Sequence, residues 1–388
     1  MLQTTPISAD SLSWRNPRLT GRIPELDGIR GLAILLVLVW HYFVSVGSPA
    51  PHSWQAYLLA TLSLTWSGVD LFFVLSGFLI GGILYDAKDS LSYYRTFYSR
   101  RIHRIFPIYF LWIALFMTGL YLVGPNSPGP LRQIFNRNIP VWTYPLFLQN
   151  FSIAWQQTTF EPIWMGVTWS LAVEEQFYFL LPWLVRHLSY RGIIWMATAS
   201  ILCAPLVRLI LWLSGNHYFG PYTLLPCRAD ALGFGVLLAL ACRNKSAWEW
   251  LASHRRNLYW AFLLLGCGMA FLLKYQKFLY VFGLTWIAAF YATLLLLTLV
   301  NPGRVEITCF RSRILMTLGT VAYAVYILHQ GVSALLHFAI LGRVPGISSW
   351  SSLSVTLLSL TTVMLLSALS WRLLEKPLIR RAQVWYRY

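Results

Sequence analysis

Three short stretches of this chain carry residues whose types and spacing could do chemistry. The first is RGLAILLVLVWH, with a guanidinium at Arg30 and an imidazole at His41, eleven residues later. On an α-helix eleven residues make three turns plus about 20°, so the two side chains share a face about 16 Å apart along the axis. That is about half of a bilayer's hydrocarbon core. With Arg30 at a water interface, His41 falls near the midplane, where an ionisable group is costly and points to function. The plainer alternative is a buried histidine hydrogen-bonded to a neighbouring helix. The second stretch, TWSLAVEEQFYFLLPWL, sets Glu174 and Glu175 in an apolar run. Ser170, Glu174 and Tyr178 share a face by their spacing of four, while Glu175 leaves the helix about 100° away. The third, YYRTFYSRRIHRIFPIY, places Arg100, Arg101 and Arg104 along one side of a short interfacial helix. Guanidinia so grouped either clamp a phosphate-rich ligand or anchor to lipid headgroups.

The elements that hold these residues are read from composition. The 388 residues are 57% hydrophobic and 11% charged, against about 25% charged in ordinary soluble domains. This predicts an all-α polytopic membrane protein. Ten spans are expected, at 30–48, 67–85, 105–123, 165–187, 192–213, 226–242, 258–274, 278–300, 315–340 and 352–373. Lys and Arg divide 23 to 5 between the two sides, with Arg208 and Arg228 inside helices. That bias predicts cytoplasmic termini. The net charge of +17 follows from these loop clusters. It argues for anionic lipid or cytosolic anions as partners, and not for nucleic acid. The five cysteines are scattered without a CxxC, so neither a disulfide framework nor a metal site is expected.

The layout predicted is a cytoplasmic arm over 1–22, a membrane domain over 23–378 and a basic cytoplasmic tail over 379–388, with no signal peptide and no appended soluble domain. The loop 124–164 is the longest and is rich in Pro and Trp. Its segment 139–155 suits an interfacial or re-entrant piece, and its aromatics suit sugar faces or membrane interfaces. Asn150-Phe-Ser152 is a single glycosylation sequon. Gly77 and Gly81 form a GxxxG, which serves close helix packing or leaves room for a ligand's chain.

With this topology His41, Ser76, Glu174, Asp230 and Tyr326 fall at one depth. A shared polar cavity explains such agreement, and a carboxylate beside a histidine is a general-base arrangement. Asp70, Ser170, Arg228 and His329 complete the expected cavity lining. Arg228 and Asp230 are expected to pair with each other or with Arg208.

These stretches, with IPELDGIRGLAILLVLVWHYF, GVDLFFVLSGFLIGGIL and AYAVYILHQ, together resemble the acyltransferase 3 family of integral membrane acyltransferases. The resemblance runs in order along essentially the whole chain. It implies transfer of an acyl group, most often acetyl, from cytosolic acyl-CoA to a hydroxyl of an envelope saccharide such as O-antigen, lipopolysaccharide or exopolysaccharide. A lipid-linked or macrolide acceptor is the alternative, and a transporter of an anionic substrate is the reading from another class. By resemblance Arg30 and His41 match the family's Arg-x10-His pair, Arg101 and Arg104 its Arg-x-x-Arg pair, and Glu174 the first Glu of its fourth-helix motif. His41 and Glu174 are then the expected catalytic residues, and Arg30, Arg100, Arg101 and Arg104 the expected acetyl-CoA (or other acyl-CoA) contacts. His41 acts either as general base or as transient acyl carrier. The implied location is the bacterial cytoplasmic (inner) membrane, as a multi-pass protein.

Overall fold

Each of the ten apolar segments forms a helix in the computed structural model, which describes residues 16, 19, 21–124, 126–157, 160–301 and 304–388. Most of the expected arm, with Arg15 and Arg18, lies outside the described residues. Helix α1 is Pro24–Val39, opened by a proline at a position where its missing N–H leaves no bond unmade. It continues as a π-helical turn over Trp40–Val44. Then follow α2 (Gly68–Asp86), α3 (Tyr93–Leu122), α4 (Thr168–His187), α5 (Tyr190–Leu213), α6 (Leu225–Ala241), α7 (Arg255–Lys274), α8 (Leu284–Val300), α9 (Arg313–Leu341) and α10 (Trp350–Ser370). A further π turn, Trp371–Glu375, leads into α11 (Lys376–Trp385).

Among the described residues eight helical stretches are long and apolar enough to cross a bilayer. The two expected segments outside that set are α4 and α7. Each has 20 residues, about 30 Å of helix and enough for a hydrocarbon core. Of the two, α4 carries the two glutamates. The chain is an all-α polytopic membrane protein.

Two pairs of helices meet at bare backbone. A Cβ added at Gly77 of α2 would lie 2.1 Å from the Leu232 carbonyl oxygen of α6, and one at Gly235 would lie 2.2 Å from that of Val74. Gly31 of α1 and Gly319 of α9 do the same against Leu315 and Asp27, at 1.9 Å each. Small residues let membrane helices approach this closely, because lipid supplies no hydrophobic drive for association. The Gly77–Gly81 motif therefore serves packing: Gly81 faces Val236 of α6. The α1–α9 contact brings His41 against His329, and α2 lies along α4 with Ser76 against Glu174.

One expectation changes. The arginines do not lie on a separate interfacial helix. They belong to the single 30-residue α3, which runs unbroken through Pro107. The loop 124–164 is folded onto the bundle. Trp164 stacks on Trp112 of α3 with ring centroids 3.8 Å apart, and each indole N–H donates to the other's backbone carbonyl, at 3.0 and 3.2 Å. Asn150 is fully buried and exchanges side-chain amide hydrogen bonds with Gln176. The sequon is therefore not presented to solvent. Trp142 and Trp155 do remain exposed.

Candidate active site

A cavity of about 540 Å³ runs along α2, touching it from Ile83 to Val69, about 21 Å of helix. At one end its wall carries Arg22, Arg30, Arg101 and Arg104. We call this the basic end. Arg30 is held by Asp27 at 2.9 Å, one turn earlier on α1. Arg101 lies over the rings of Phe97 and Tyr178, 5.8 and 5.7 Å from their centroids. Among the described residues neither Arg101 nor Arg104 has an ion pair, so both keep donors for an anion.

The middle of the cavity is polar. Ser76 Oγ donates to Glu174 Oε1 at 2.7 Å, and Tyr178 OH lies 3.1 Å from Ser76 Oγ and 3.4 Å from Glu174 Oε2. The shared face of Ser170, Glu174 and Tyr178 expected on α4 does line the space. Deeper, Ser170 Oγ and Tyr326 OH share a hydrogen bond of 2.5 Å. Phe72 and Val69 close the apolar end.

His41 does not join Glu174, as its depth suggested. Its Nδ1 lies 3.0 Å from the Val37 carbonyl and 3.3 Å from His329 Nε2. The reason is the helix on which α1 packs, not its register: Arg30 to Val39 is regular α-helix, and only Trp40 of the π turn precedes His41. The close α1–α9 contact then supplies His329 as its neighbour. His329 stands between His41 and Tyr326, whose ring centroids are 4.9 and 5.8 Å from its own. Tyr326 lines the cavity and His41 lies one layer behind it, partly exposed.

The hydrogen bonds assign the proton positions of this histidine pair. His329 Nδ1 faces the Tyr326 and Val325 carbonyls at 2.8 and 3.2 Å. Carbonyls only accept, so His329 carries its proton on Nδ1 and presents Nε2 as a lone pair. His41 Nδ1 then faces two acceptors and must carry its own proton. The neutral His41 is left with an unprotonated Nε2, the form a general base needs.

The other expected residues sit elsewhere. Arg100 points from the cavity to the chain end, where its Nε and Nη2 donate to the Tyr386 carbonyl at 3.0 and 2.7 Å. It is one residue, hence about 100°, from Arg101. Asp70 and Arg228 form a buried ion pair at 2.5 Å, with the guanidinium between the Phe73 and Tyr222 rings. Asp230 pairs with Arg208 at 2.9 Å and accepts from Thr285. None of Asp70, Arg228, Asp230 or His329 touches the cavity, since each is held inward by a partner on a facing helix. Glu175 is also off the wall, and its Oε1 is buried with no hydrogen-bond partner among the described residues. Sequence reasoning missed Arg22, Tyr323 and Gln383, which do line the space. Tyr323 stands three residues ahead of Tyr326, on the same side of α9, and that spacing was the available signal for one of them.

The fold and site thus define a membrane-embedded protein with an interior cavity that is basic at one end. The chain belongs to the acyltransferase 3 family: the family model described as an acyltransferase domain matches residues 23–372. The chain is 28% identical over 343 residues to "Putative peptidoglycan O-acetyltransferase YrhL" of Bacillus subtilis, covering 81% of this chain and 49% of that protein. It is 24% identical over 392 residues to "O-acetyltransferase OatA" of Staphylococcus aureus, covering 92% and 57%. The chain therefore spans about half the length of these curated relatives. No solved structure matches it.

Proposed function

We propose that this protein is an O-acetyltransferase of the bacterial inner membrane, with its basic end toward the cytoplasm, that moves an acetyl group from acetyl-CoA to a hydroxyl of an envelope saccharide. The observation that carries this is one cavity with guanidinia at one end and hydroxyl and carboxylate groups along its depth. Arg30, Arg101 and Arg104 hold the donor's diphosphate by charge-assisted hydrogen bonds. The pantetheine arm lies along α2, and Glu174, fixed by Ser76 and Tyr178, accepts from its amide N–H groups. The thioester reaches the level of Ser170 and Tyr326, and the saccharide arrives from the opposite side, beneath the 124–164 loop. The family's relatives named as O-acetyltransferases, one of them of peptidoglycan, support a saccharide acceptor.

His41 Nε2 takes the proton of the acceptor hydroxyl as its oxygen attacks the thioester carbonyl. The tetrahedral adduct then expels the CoA thiolate, which receives that proton from His41. The ester forms, the carbon–sulfur bond breaks, and no net proton is released. A second reading makes Glu174 the base, because Glu174 lines the cavity and His41 lies behind Tyr326. Single-turnover transfer from labelled acetyl-CoA by the purified protein tests the function. Loss of transfer in His41→Ala with donor binding kept supports His41. Full activity in His41→Ala with loss in Glu174→Gln assigns the base to Glu174. Absence of acetyl transfer to envelope saccharides in the wild type overturns the proposal.

A further inference from the structure

A second cavity, about 430 Å³, adjoins the first at the basic end, and the two share Arg22, Arg30, Arg104, Tyr323 and Gln383 in their walls. Its far side is one stripe of the C-terminal helical segment: Trp371, Glu375, Ile379 and Gln383, with Lys376 and Arg380 beside them. These positions recur at intervals of four, so a whole helical face turns toward the cavity. Charges on this wall are unequal. Asp27 is engaged by Arg22 and Arg30 at 2.8 and 2.9 Å, and Glu375 accepts from Ser370 at 3.2 Å. Lys376, Arg380 and Arg104 make no ion pair with any described carboxylate. The space therefore combines an indole, a phenol and cations with free donors. That combination suits a nucleotide, with a π-face for the base and donors for phosphate.

Resting on the acyl-CoA reading above, we propose that the second cavity takes the 3′-phosphoadenosine end of the donor, with Lys376 and Arg380 on the 3′-phosphate and Trp371 against the adenine. The order of groups along the ligand requires this arrangement. With the thioester deep in the first cavity, the diphosphate lies at the wall shared by both, at Arg30 and Arg104. The ribose, its 3′-phosphate and the base then lie beyond that wall, and the adjoining space is the second cavity. Each cavity falls within the size of small-molecule sites, roughly 300–1,000 Å³. Basic residues on a helix near a membrane surface also bind lipid headgroups, which offer the same phosphate chemistry.

The test is binding of CoA and of dephospho-CoA, which lacks only the 3′-phosphate, to the purified full chain in phosphatidylcholine nanodiscs. The wild type is expected to bind CoA about tenfold or more tightly than dephospho-CoA, as for one or more charge-assisted contacts. This contrast needs no variant and does not depend on how a variant folds. Lys376→Ala with Arg380→Ala is expected to lower CoA affinity to the dephospho-CoA level and to leave dephospho-CoA affinity unchanged. Equal wild-type affinity for the two ligands overturns the proposal, as does equal weakening of both in the variant. An effect of the double substitution seen only after phosphatidylglycerol is added assigns the cations to lipid and also overturns it. Failure of the wild type to bind either ligand overturns the acyl-CoA reading itself.

Discussion

His41 Nδ1 lies 3.3 Å from His329 Nε2, across the contact between α1 and α9. His329 is fully buried, and its own backbone carbonyl accepts from Tyr42 OH at 2.9 Å. The pair holds the His41 ring with Nε2 free. We expect His329→Leu to lower kcat for transfer about 10²-fold, as for loss of a positioned base, with KM for acetyl-CoA unchanged. His329→Gln, which can place an amide oxygen near the Nε2 position, is expected to recover part of that loss. Equal effects of Leu and Gln, or a KM effect alone, would assign His329 to packing. Steady-state kinetics on the detergent-purified variants makes the distinction.

Glu174 is tied to Ser76 and Tyr178 on the cavity wall. Under the proposed function, Glu174→Gln keeps shape and loses charge, and is expected to lower transfer about tenfold or more through lost charge-assisted bonds. Glu175→Gln is expected to change transfer less than about threefold, because its side chain is off the wall. Parallel assays of the two variants at saturating and limiting acetyl-CoA check this.

Gly77 lets α2 touch α6. Gly77→Ala would drive a Cβ to 2.1 Å from the Leu232 carbonyl oxygen, and backbone shifts of this kind cost about 1–3 kcal/mol. Gly129→Ala, with nothing within 4 Å of the added atom, is the control. A thermal melt followed by size-exclusion chromatography should separate the two, with a lower midpoint for Gly77→Ala.

Asp70 and Arg228 are a buried ion pair in which Arg228 Nε and Nη1 have no hydrogen-bond partner among the described residues. Asp70→Asn leaves that guanidinium without its acid, and removing one member of a buried pair costs about 3–5 kcal/mol. The double replacement Asp70→Leu with Arg228→Met removes both charges and is expected to be less damaging than Asp70→Asn. The same melt reads both. A single substitution as stable as wild type would show that the pair does not hold α2 to α6.

The division of Lys and Arg, 23 to 5 across the expected topology, predicts cytoplasmic termini. Reporter fusions at Arg132 and at Tyr388 are expected to report opposite sides of the membrane. The same side for both would end the ten-span arrangement.

What the sequence determined by itself was the class and the ingredients. Apolar run length, low charge and motif order were enough for an all-α membrane protein, for the ten helical segments and for the family. The α register was enough to put Ser170, Glu174 and Tyr178 on one face, and that face does line the cavity. Those properties are local, because they depend on backbone hydrogen bonding and on side-chain direction along one helix. The tertiary structure alone decided the partners. Depth said that His41, Glu174, Asp230 and Tyr326 share a layer, but depth is one coordinate, and contact also requires the azimuth of each helix and its neighbour. Bare glycine backbone at Gly31 and Gly319 drew α1 onto α9, so His41 met His329 and not Glu174. Facing helices took Asp70, Arg228 and Asp230 into ion pairs. Arg22, Lys376 and Arg380, unremarkable in a list of basic residues, became one wall only because the two ends of the chain fold to the same end of the bundle.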